Sequence, residues 1–87
     1  MDSLTVIMER MLINNTLLMI RTKFETYLEV YKECDVTVSA KTILSVFEIF
    51  VSTCSKAKET GYEEWKESAK GIYELYKKLK DIVPELQ

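Results

Sequence analysis

Tyr62, Trp65, Ala69, Ile72, Tyr76, Leu79 and Val83 follow one another at intervals of 3, 4, 3, 4, 3 and 4 residues. That spacing places seven side chains along one stripe of an α-helix, and a helix with such a stripe must bury it against a neighbour. Two more stripes of the same kind precede it, one through Ala40, Ile43, Phe47, Phe50, Cys54 and Ala57, the other through Leu17, Ile20, Phe24, Tyr27, Tyr31 and Cys34. Three amphipathic helices in one short chain predict an all-α fold, an antiparallel helical bundle of three helices over about residues 3–34, 40–59 and 62–83. At 87 residues the chain has room for a single domain, 1–87.

Local signals set the expected boundaries. Ser3 is suited to cap the first helix, and the run Asp35, Val36, Thr37, Val38, Ser39 reads as an extended connector that ends in a second N-cap. Gly61 suits a left-handed stop after the second helix, Thr60 with Glu63 fits a capping box for the third, and Pro84 closes the chain's last helix at about Val83. Asn14, Asn15 and Thr16 compete with helical hydrogen bonding, so a break there turns three helices into four. With no Gly or Pro nearby, a continuous first helix is the preferred reading. Both connectors are short, which makes successive helices antiparallel neighbours. The second helix carries only Lys41 and Glu48 as charges between residues 36 and 55, so it is expected to be the most buried, with Phe47 at the centre of the core.

Chemistry is harder to assemble. The chain has no His, which removes the commonest general base and the commonest metal ligand, and two cysteines cannot close a structural zinc site. Cys34 and Cys54 lie on apolar stripes and read as small buried hydrophobes in a reducing compartment, with a Cys34–Cys54 disulfide as the alternative. The acids fall on strips opposite the stripes rather than converging in a cleft, and the two glycines, ten residues apart, make no phosphate loop. The expectation is a protein that is not an enzyme, with no cofactor and no metal. The chain opens on an acidic residue instead of the basic start of a secretory signal, and Glu9, Arg10, Asn14 and Asn15 interrupt the apolar stretch 3–20, so no membrane span and a cytoplasmic location are expected.

What remains is surface. Leu4, Ile7, Met8, Met11, Leu12 and Leu18 form one stripe on the first half of the first helix, and Val6, Ile13, Leu17 and Ile20 form another. An apolar arc this wide exceeds what one helix contact within a monomer needs, and three of the chain's four methionines (Met8, Met11, Met19) lie in it. Met adapts to irregular and exchangeable surfaces. With the small polar face of the second helix, including Ser45 and Ser52, this stripe is expected to form a partner interface, most simply between two copies of the chain. The reading is a small protein–protein interaction module, an adaptor or regulatory subunit, that self-associates as a homodimer and meets an unidentified protein. The alternative is a nucleic-acid-binding regulator acting through Lys66, Lys70, Tyr73, Lys77 and Lys80, a basic line with one aromatic. Against it, Glu63, Glu67, Glu74 and Asp81 run alongside, with Glu63–Lys66, Glu67–Lys70 and Glu74–Lys78 as expected pairs. The net charge of −2 and pI of about 5.2 add no support for nucleic acid. Gly71, with Ser68 one turn before it, marks either a close helix approach or an incidental surface glycine.

Overall fold

The computed structural model describes residues 3–34 and 36–87, so Asp35 of the connector, Met1 and Asp2 lie outside the described residues. Among them the fold is all-α: α1 (Leu4–Glu33), α2 (Ala40–Glu59) and α3 (Trp65–Ile82), followed by a single 3-10 turn, Pro84–Leu86. The first helix does not break. Asn14 instead turns its amide outward to the Tyr62 hydroxyl, donating at 3.1 Å, so the backbone ladder runs on beneath it. Ser3 and Ser39 cap their helices as their positions suggest, each hydroxyl accepting the amide proton three residues on, from Val6 and from Thr42, at 3.2 Å; a cap of this kind contributes about 1 kcal/mol. The connector is pinned by Tyr31, whose hydroxyl donates to the Val38 carbonyl at 2.6 Å.

At the second connection the outcome differs from the capping-box expectation. Thr60 serves the end of α2, its hydroxyl donating to the Ala57 carbonyl at 2.7 Å and accepting from the Tyr62 amide at 3.3 Å. Gly61 follows at φ +73°, the left-handed stop that glycine adopts without a Cβ penalty. The chain then needs residues 62–64 to reverse, and α3 starts at Trp65 with Glu64 before it making no side-chain cap.

Contacts between helices fix the topology. Asn14 meets Tyr62, Arg21 meets Gly71 and Phe24 meets Tyr76, so α1 and α3 run the same way. Glu9 to Thr16 of α1 face Ser52 to Thr60 of α2, so α2 runs against both. The core is drawn from all three stripes: Leu17, Ile20 and Phe24; Ile43 and Phe50; Ile72, Tyr76, Leu79 and Val83 are buried. Phe24 is its largest fully enclosed side chain, at 0 % exposure. Three expectations need correction. Phe47 is half-buried at the edge of the core, its ring stacked on Tyr76 at 4.0 Å. The second helix is not the most buried, because in a three-helix bundle every helix keeps one outward face, and that of α2 leaves Leu44, Ile49 and Val51 in water. Cys34 sits exposed at the end of α1 and Cys54 is half-buried; both are free thiols.

Gly71 is explained by one contact. A Cβ built there would lie 2.5 Å from Arg21 Nη2 and near no backbone atom of another helix. The glycine thus admits the tip of a flexible side chain, which can swing aside. Gly71→Ala is therefore expected to be neutral or to raise stability by up to about 1 kcal/mol through helix propensity, read as a melting temperature no lower than that of the parent protein.

Candidate interaction surface

The bundle measures 50 × 21 × 19 Å, and α1, about 45 Å long at 1.5 Å per residue, sets its long axis. Full burial along α1 begins only at Ile13. The connector before α3 and the end of α2 both reach the level of residues 9–14, where Arg10 lies over the Tyr62 ring at 5.4 Å. Residues 4–8 therefore extend past that level, with Val6 among them half-buried.

The two stripes of α1 separate as their spacing requires. Ile13, Leu17 and Ile20 point into the core and Val6 is half-buried above them, whereas Leu4, Ile7, Met8, Met11, Leu12 and Leu18 are all exposed, Leu4 at 71 % and Leu18 at 62 %. Met19 joins them. Read around the helix, Leu4, Met8, Met11, Asn15, Leu18 and Thr22 recur at 4, 3, 4, 3 and 4 residues, a complete second seam directly opposite the core seam. Sequence reading missed its continuity because Asn15 and Thr22 are polar. These water-facing apolar side chains form one contiguous run along the outward face of α1.

The structure brings Ser52 to this surface and leaves Ser45 away from it. Ser52, Leu12 and Thr16 line an open cleft of about 500 Å³ between α1 and α2, rimmed by Glu9, Lys56 and Glu59. Ser45 lies two turns nearer the start of α2, toward the other end of the bundle, with its hydroxyl donating to the Lys41 carbonyl at 2.9 Å. A shallower groove lined by Thr5, Met8, Met11 and Asn15 opens on the outer side of α1, so Leu12 and Glu9 stand between two concave surfaces.

On α3, Lys66, Lys70, Tyr73 and Lys77 are exposed and Lys80 is half-buried. Lys66 is ion-paired with Glu63, and Lys77 with Glu74 at 3.3 Å rather than Glu74 with Lys78. Lys77 also lies 5.7 Å from the Tyr73 ring centre, which occupies the one aromatic of the line. Exposed pairs of this kind contribute about 0–1 kcal/mol each, and they offset the positive field that a phosphate backbone needs.

Burial pushes the Cys54 thiol up from its ordinary pKa, which lowers its thiolate fraction and its reactivity. Cys34 is expected to react several-fold faster with an aromatic disulfide reagent at mildly alkaline pH, compared in Cys54→Ala and Cys34→Ser proteins. Equal rates would mean that Cys54 is more open than its place beside Phe50 and Ala57 allows. Among the described residues no group of three or more Cys, Asp or Glu side chains converges on a metal-sized site, and no helix is long and apolar enough to cross a membrane. Compared with known proteins, the chain matches no family model, no curated protein and no solved structure.

Proposed function

We propose that this protein is a small non-enzymatic interaction module, an adaptor or regulatory subunit of a reducing, cytoplasmic compartment, that works by helix packing and self-associates through the outward seam of α1. One observation carries the reading. The half of α1 that contributes least to its own core is the half with the most exposed apolar side chains, and covering such a face with another surface removes apolar area from water, which is favourable. A two-fold dimer uses the same patch twice and needs no second gene product. A further protein partner fits the cleft beside Ser52 and Lys56, where hydroxyls and both signs of charge surround an apolar floor. The acids lie on exposed helix faces and the half-buried thiol is held protonated, which supports a role without catalysis.

Association linked to folding makes the melting temperature rise with protein concentration, because the dimer is the species that resists unfolding. Thermal unfolding over about two decades of concentration is expected to show that rise; a midpoint independent of concentration counts against self-association. Titration with DNA and RNA at low salt separates the alternative reading. No binding is expected, whereas tight binding that weakens steeply with salt and on neutralising Lys66, Lys70, Lys77 and Lys80 would replace the interaction module with a nucleic-acid regulator.

A further inference from the structure

We draw no further inference here: the strongest candidate, the apolar face of α1 from Leu4 to Leu18 with the adjoining cleft against α2 at Leu12 and Ser52, belongs to the surface already described, and nothing in the structure shows what covers it.

Discussion

Phe24→Ala is expected to cost about 3–5 kcal/mol of stability, enough to unfold a domain of this size at ambient temperature. Phe24 is wholly enclosed at the level where all three helices meet, with Tyr27 and Tyr76 around it at centroid distances of 6.4 and 6.0 Å. Truncation removes the transfer energy of the ring and leaves a cavity that the packed helices close only in part. Phe47 provides the control. Its ring stacks closely on Tyr76, with an interplanar angle of 18°, but one side faces water, so solvent fills the space that truncation leaves. Phe47→Ala should cost clearly less, about 2 kcal/mol. Urea unfolding at one fixed protein concentration measures both, and a larger loss for Phe47→Ala than for Phe24→Ala would contradict this account of the core.

Met8→Lys combined with Leu12→Lys is expected to leave the helical signal intact and to abolish self-association, weakening it on the order of 100-fold or more, about 3 kcal/mol. Met8 and Leu12 are 59 % and 61 % exposed, so lysine at either position costs the isolated bundle little. Across a two-fold seam the same change introduces four ammonium groups into an apolar contact. Circular dichroism and sedimentation of the double variant decide between two failures: loss of helicity would place these side chains in the chain's own core, and a persisting dimer would place the interface elsewhere.

Much of the fold was legible because the 3, 4 spacing is a direct image of helix geometry, and because Ser3, Ser39 and Gly61 have few other uses at their positions. The start of α3 was not, since a Thr with Glu three residues on reads equally as a cap for the next helix or as a hydroxyl that closes the previous one. Leu28 and Val46 are buried although they lie off the stripes, because a helix between two neighbours buries an arc wider than a single row. Leu86 is buried as well: the 3-10 turn after Pro84 folds it back under the bundle, and its only signal was one apolar residue three positions beyond Val83. Arg21 against Gly71 depends on the register of α1 on α3, which no local pattern encodes. At the proposed interface the exposed apolar residues were readable, but their linkage into one seam was not, because polar Asn15 and Thr22 occupy two of its positions and hide the spacing.

Sedimentation equilibrium of the unmodified protein at micromolar concentration tests the central claim most directly. The account predicts a species of twice the 10.2 kDa chain mass that dissociates reversibly on dilution. A strictly monomeric species at that concentration, with its full helical content, would contradict it.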